Sequence, residues 1–281
     1  MIKQSQIDAS IIIPTLGRLD KVIQLSNHLI SLNPAPREII IVFQEIDEYH
    51  NFLKVNKFPI IKPIFISTKS AVSARNAGLR SAQGEYLVFL DDDCKPIKSD
   101  WLDRITLQLK NPKISLVTGS VFGWGGVSGK IPFFNRSFLL LPIILEPIGN
   151  PEASRSGYCH TVAGGNFAAK KNQLDLIGGF NEIFTSPSLY EEIELSLRIK
   201  QLLKVKVWYE ASAGVFHDQQ LTGGMRNLNQ LPTTNYVISQ RKQLYKTLYK
   251  SRTEILVRII SYYIFRGVVK LYKHISSVIL K

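Results

Sequence analysis

The stretch from Ser73 to Cys94, SARNAGLRSAQGEYLVFLDDDC, constrains the chain more than any other. A small-residue segment that reads as helix turns at Gly84 into the apolar strand Glu85–Leu90, and the strand runs into Asp91, Asp92 and Asp93. Successive strand side chains point to opposite faces, so Asp91 and Asp93 are expected on one side and Asp92 on the other. Carboxylates this close repel unless a cation or hydrogen-bond donors neutralise them. Hard oxygen ligands on a short turn suit Mg²⁺ or Mn²⁺, with a phosphate and waters completing the shell. A solvated acidic turn is the plain alternative.

The rest of the N-terminal half has the rhythm of an open α/β sheet. Ala9–Pro14 is a short β-branched strand, followed by the turn Thr15-Leu16-Gly17-Arg18 and an amphipathic helix from Asp20 to Leu32. Further strands are expected at Glu38–Phe43, Ile60–Ile66 and Lys113–Thr118, and a helix at Trp101–Leu109. Strands alternating with helices imply a doubly wound, mostly parallel sheet that binds ligands outside the carboxyl ends of its strands. Thr15 and the three aspartates lie at such ends.

Ala74, Arg75, Asn76, Gly78, Gly84, Glu85, Tyr86, Asp91 and Asp93 together resemble the donor-binding core of the family-2 glycosyltransferases. The resemblance implies a GT-A, Rossmann-like α/β fold whose mixed, mostly parallel sheet is flanked by helices. It also implies a nucleotide-diphosphate sugar as donor and a divalent cation, Mn²⁺ or Mg²⁺. Pro14 and Thr15 match the family's strand opening. Pro14, Thr15, Arg18, Gln44, Arg75, Asn76, Asp91 and Asp92 are the implied donor-binding residues, with Asp91 at the ribose and Arg75 near the diphosphate or its acidic neighbours. Asp93, Asp91 and the late His217 are the implied metal ligands. Gln44 stands where many relatives carry Asp, which leaves the nucleotide base open.

Two later motifs extend the resemblance. In His160–Phe184 a strand is expected to reach Gly164-Gly165-Asn166, implied on the acceptor side, with a short helix near Lys171 closed by Gly178-Gly179. In Leu189–Arg198, apolar residues at helical spacing bury one face and Glu194 pairs with Arg198. Here the family implies a general base at Glu192, with Glu191 the alternative, and an inverting transfer to an acceptor hydroxyl. Val205–Tyr209 reads as a strand, and Ala213–His217 as a small-residue turn leading to the histidine.

Composition narrows the setting. Of 281 residues 45% are hydrophobic and 20% charged, as in a globular protein. No signal peptide is apparent, and the two cysteines, Cys94 and Cys159, fit a reducing cytoplasm, with Cys94 inert beside the aspartates. The net charge of +13 lies mostly beyond residue 240, where ten Lys/Arg stand against Glu254 alone. There Ile255, Leu256, Ile259, Ile260, Tyr263, Ile264 and Val268 form an apolar stripe among basic residues. That pattern fits peripheral contact with an anionic membrane, on the inner face of the cell membrane, or a helix packed on the body. An irregular stretch from Gly119 to Gly157 holds Trp124, Phe133, Phe134 and Phe138, which either pack over the core or meet a lipid-linked acceptor. The expected organisation is a catalytic domain over 1–230, split into donor (1–118) and acceptor (119–230) halves, and a basic helical segment over 231–281. The family resemblance implies an acceptor that is a saccharide or lipid-linked sugar of cell-surface polysaccharide or glycolipid synthesis. A nucleotidyltransferase and a non-catalytic sugar-nucleotide-binding relative are the alternatives; with no recognised binding motif, nucleic acid is not an expected partner.

Overall fold

The computed structural model describes residues 5–123, 135–184, 189–218 and 233–279. In its first part the elements are β1 (Gln6–Thr15), α1 (Leu19–Leu29), β2 (Ala35–Phe43), α2 (Ile46–Val55), β3 (Ile61–Phe65), α3 (Ala71–Ser81), β4 (Tyr86–Leu90), β5 (Cys94–Pro96), α4 (Trp101–Leu107) and β6 (Ile114–Phe122). Then come β7 (Leu139–Leu140), β8 (Pro147–Ile148), β9 (Gly157–Cys159), β10 (Asn166–Lys170), α5 (Lys171–Leu176), α6 (Glu191–Leu203), β11 (Lys206–His217), α7 (Thr234–Leu248) and α8 (Arg252–Ile279).

Nine strands form one sheet in the order β3-β2-β1-β4-β10-β6-β11-β5, with β9 also pairing with β11. β1 pairs in parallel with β2 and β4, β2 with β3, and β6 with β11. β10 is antiparallel to both β4 and β6. Residues 9–15 of β1 are all buried, which a strand covered on both faces requires and its β-branched composition satisfies. Phe89 of β4 stacks on Phe167 of β10 at 4.7 Å and meets Phe180 edge-on at 5.3 Å, a wedge of rings directly beneath the aspartates.

The carboxyl ends of β1, β4 and β11 bring Thr15, Asp91–Asp93 and His217 to one edge of the sheet. α3 brings Arg75 beneath that edge; its N-cap Ser70 accepts a hydrogen bond from Ser73 N, and Ser70 N itself donates to Gln44 Oε1 at 2.6 Å.

Two expectations about elements are corrected, and one open alternative is decided. The strand at the double glycine begins at Asn166, after the glycines, and runs antiparallel to β4. Lys206–His217 is one long strand rather than a strand and a turn; β11 crosses an irregularity between Glu210 and Val215 and continues to His217. Phe138 is buried against Tyr209, ring centres 6.0 Å apart, so it packs on the core. Trp124, Phe133 and Phe134 lie outside the described residues.

α7 packs on the body through buried Leu244, Tyr245 and Arg241. α8 uses two faces: Ile255, Ile259 and Tyr262 turn inward, while Leu256, Val257, Ile260, Tyr263, Ile264 and Val268 are each about half exposed or more. Among the described residues no helix is long and apolar enough to cross a membrane.

Candidate active site

β4 ends at Leu90, and the aspartates that follow form a turn closed by Cys94 N donating to Asp91 O at 3.0 Å. The strand alternation expected for them therefore does not operate: Asp92 and Asp93 face one cation and Asp91 another. One nitrogen of Arg18, Nη1, donates to Asp92 Oδ1 and to Asp93 Oδ2, both at 2.7 Å. Thr15 Oγ1 donates to Asp92 Oδ2 at 2.8 Å. Burial pushes the Asp92 carboxyl up to about 7, with Arg18 opposing and Asp93 adding to the shift. For Asp93 burial again favours the neutral form, but His217 and Arg18 together outweigh it and hold the carboxyl below its ordinary range.

His217 Nε2 stands 3.4 Å from Asp93 Oδ1. Neighbouring ligands of an octahedral ion with bonds of about 2.1 Å lie about 3 Å apart, so this oxygen–nitrogen pair fits a divalent cation. Cys94 Sγ completes a cluster whose ligand atoms lie within 4.8 Å of one another. Burial, reinforced by the three aspartates, pushes its thiol well above its ordinary range, in keeping with an inert cysteine. Asp91 is not in that cluster. Its Oδ1 accepts from Arg75 Nη2 at 3.1 Å, which takes it toward the second acidic group and away from the expected metal set.

Arg75 is the hub of that second group. Its Nη1 donates to Glu191 Oε1 at 3.1 Å and to Glu192 Oε1 at 3.4 Å, and its Nη2 also donates to Gly164 O at 3.4 Å. The side chain is buried, and although burial disfavours its charge, Asp91, Glu192 and Glu191 more than offset this and raise its pKa. A guanidinium fork suits this work because its donors are fixed in a plane. Of the two glutamates, Glu191 is enclosed, 4% exposed at the side chain, and Glu192 is more open at 16%.

The double glycine serves these carboxylates. A Cβ on Gly164 would lie 1.9 Å from Glu192 Oε1, and one on Gly165 would lie 2.8 Å from Asp91 Oδ2. Only glycine lets the two carboxylates settle against this backbone.

Three amides expected at the ligand are struts. Asn166 is fully buried; its Nδ2 donates to Ser120 O and Ala213 O, and its Oδ1 accepts from Trp101 Nε1. Asn76 donates to Phe180 O and Glu182 Oε1 and accepts from Phe180 N, fastening the Gly178-Gly179-Phe180 turn to α3. Gln44 is divided between Thr15 O and Ser70 N. Both amide N–H groups of Asn76 and of Asn166 are thus bonded inside the protein, and Gln44 is 3% exposed. The residues the sequence reading missed are Tyr190 and Arg241, which brace α6 from behind. No local signal marks them, because they are 51 positions apart.

An aspartate turn held by Thr15 and Arg18, a candidate cation pair and a glutamate pair joined by one arginine thus converge on one end of the sheet. The sequence profile described as Glycosyl transferase family 2 matches residues 10–171, more than half of the chain. The chain belongs to that family. It is 24% identical over 243 residues to the O-antigen biosynthesis protein RfbC of Myxococcus xanthus, covering 82% of this chain but only 18% of RfbC. It is 25% identical over 248 residues to an uncharacterized glycosyltransferase of Haemophilus influenzae, covering 86% and 79%. The solved structure of GalNAc-T7 with UDP, GalNAc and Mn²⁺ shares the fold at a TM-score of 0.65 and 14% identity, over 88% of this chain and 48% of that one. Two others at 14% identity are Staphylococcus aureus TarS with UDP-GlcNAc (TM-score 0.59; 89% and 69% covered) and the Pyrobaculum calidifontis mannosyltransferase PcManGT with GDP-Man and Mn²⁺ (0.55; 92% and 70%). These likenesses establish the mostly parallel α/β architecture of GT-A glycosyltransferases. The family match ends at residue 171, before α6 and His217, so the roles of the residues there rest on geometry.

Proposed function

We propose that the chain transfers a sugar from a nucleotide-diphosphate donor to an acceptor hydroxyl with inversion at the anomeric carbon. The observation that carries this is Arg75, which holds the donor-side Asp91 and the glutamates of α6 on one guanidinium. Donor and base are thereby brought within one side chain's reach. Asp91 faces the ribose, and Asp93 with His217 holds the cation. A divalent ion there supplies a Lewis acid for the charge that develops on the leaving diphosphate. Glu192 is the general base, because it is the more open of the pair and lies beside Gly164. It takes the acceptor proton as the oxygen attacks from the face opposite the leaving group, and no carboxylate nucleophile is required.

The acceptor is a saccharide or lipid-linked sugar of a cell-surface polysaccharide or glycolipid, a reading supported by the name of the RfbC relative. The enzyme works in the cytoplasm, peripherally on an anionic membrane. The exposed stripe of α8, from Leu256 to Val268, and the basic residues around it support that placement.

The test is a melting-temperature screen of UDP, GDP, dTDP and CMP with and without Mn²⁺, followed by transfer from the matching sugar nucleotide. A ligand of the native state raises the melting temperature by mass action. A Mn²⁺-dependent shift with one nucleotide, lost in Asp93→Ala, is expected. Transfer that survives Asp93→Ala undiminished would overturn the assignment.

A further inference from the structure

A second cleft opens away from the aspartates, where β9 lies against the first half of β11. It has a volume of about 270 Å³ and is lined by Arg136, Ser137, Arg155, Tyr158 and Trp208 among others. Small-ligand sites commonly run from about 300 to 1,000 Å³, so this one suits a single sugar unit or a disaccharide rather than a whole chain.

Its walls are built for a particular chemistry. Arg136 and Arg155 are exposed, and neither guanidinium has a carboxylate partner among the described residues. Tyr158 and Trp208 stand edge to face, ring centres 5.2 Å apart and planes at 89°, and offer flat apolar surface beside those charges. Lys206 lies over one face of Tyr158 at 4.3 Å and adds a third cation. Glu210 and Glu152 both lie near the cleft's Tyr209, and the Glu210 carboxylate is taken by Ser156, Ser212 and Trp208 Nε1. Ser137 is 3% exposed, and its Oγ is buried without a hydrogen-bond partner.

Place decides between possible ligands. β9 lies against Val207–Tyr209 of β11, whereas Asp93 stands beside His217 at that strand's end; β6 alongside advances from Val117 at Trp208 to Phe122 at Phe216, so the cleft is roughly 17 Å or more from the aspartate carboxylates. We infer that the cleft binds an acidic sugar unit of the acceptor, several residues back from the hydroxyl that reacts: aromatic faces take the ring and the arginines take its carboxylate or phosphate. This rests on the glycosyltransferase reading given above, but its test does not require transfer.

The experiment titrates the full chain with oligogalacturonate and, separately, with neutral malto-oligosaccharide at fixed ionic strength, by calorimetry and tryptophan fluorescence. Oligogalacturonate is expected to bind and malto-oligosaccharide to bind at least tenfold more weakly. The double variant Arg136→Ala/Arg155→Ala, and Tyr158→Ala separately, should each weaken oligogalacturonate at least tenfold. Lys242→Ala/Lys246→Ala on α7, an equal loss of charge elsewhere, should leave it unchanged. No binding by the wild type, equal binding by all variants, equal loss in the α7 control, or displacement by UDP would each overturn the cleft. The Mn²⁺-dependent nucleotide melting shift should be the same in wild type and the arginine double variant. If no nucleotide shifts either protein while oligogalacturonate still binds, the donor reading fails and the cleft stands.

Discussion

Arg241 on α7 donates a hydrogen bond at 3.0 Å to the hydroxyl of Tyr190, the residue immediately before Glu191 and Glu192. The same guanidinium is bonded to Glu146 and the carbonyl of Ile144 and lies between the rings of Tyr190 and Tyr262, at 4.6 and 4.0 Å. Burial disfavours its charge, but the groups around it outweigh that and keep it protonated. Removing a buried cation leaves its partners uncompensated, typically at a cost of about 3 kcal/mol or more. Arg241→Ala is therefore expected to lower stability by about that amount in urea denaturation. It should also reduce turnover more than donor affinity, because the glutamates of α6 lose their brace. A variant of wild-type stability would show that the contact is ornamental.

Gly164→Ala probes the packing at the base. Its Cβ would overlap Glu192 Oε1 at 1.9 Å, so the carboxylate has to move. A displacement of about 1 Å at a catalytic group can cost about 100-fold in rate. That drop in kcat is expected with the nucleotide melting shift preserved; unchanged kcat would remove Glu192 from the role of base.

Glu38 gives a pH dependence with a defined sign. Burial favours its neutral form, yet Lys62 at 2.5 Å, Ser10 Oγ at 2.6 Å and Gln83 N at 2.6 Å outweigh this and hold it below its ordinary value of 4.5. The folded protein thus binds the proton more weakly than the unfolded chain. The resulting stability is present above pH 4.5 and is lost as pH falls through the lower folded value. Glu38→Gln should be less stable than wild type at pH 7, by about 1–3 kcal/mol, with the gap closing below about pH 4. A gap that stays constant across that range would refute the ionic network.

His217→Gln should raise the Mn²⁺ concentration needed for the nucleotide melting shift by about tenfold or more, as loss of a ligand or its support commonly does. An unaltered Mn²⁺ requirement would leave Asp93 as the cation's anchor without the histidine.

Membrane contact is best tested by substitution rather than by removing the tail. Truncation after residue 231 would strip α7, whose Arg241, Leu244 and Tyr245 are buried in the body. Ile260→Glu/Ile264→Glu changes only exposed positions, 49% and 62% accessible, and should keep the fold while abolishing sedimentation with anionic vesicles. Undiminished sedimentation would exclude the α8 stripe as the contact.

The edge of the sheet was legible because its strands are short apolar runs that stop at Pro14-Thr15 and at three aspartates, patterns that local chemistry sets. What those polar groups touch was not. Asp91 parted from Asp93 because β4 ended one residue before alternation could act on them. Asn76, Asn166 and Gln44 carry the same amide whether it meets a sugar or a carbonyl, and only the neighbours brought in by folding decide which. Arg75 and Glu192 are 117 residues apart, so no window along the chain contains both. Arg241 is one of the ten basic residues beyond residue 240, and nothing in that run of charge marks it as the one that is 2% exposed.

β11 carries Trp208 near its start and His217 at its end. One continuous run of backbone therefore fixes the interval between the arginine-lined cleft and the reacting end of the sheet, as marks on a ruler do. An acceptor shorter than that interval can occupy one mark or the other, never both. On the acceptor reading of the cleft, a glycan long enough to span that interval is held at two points and should bind more tightly than a shorter one.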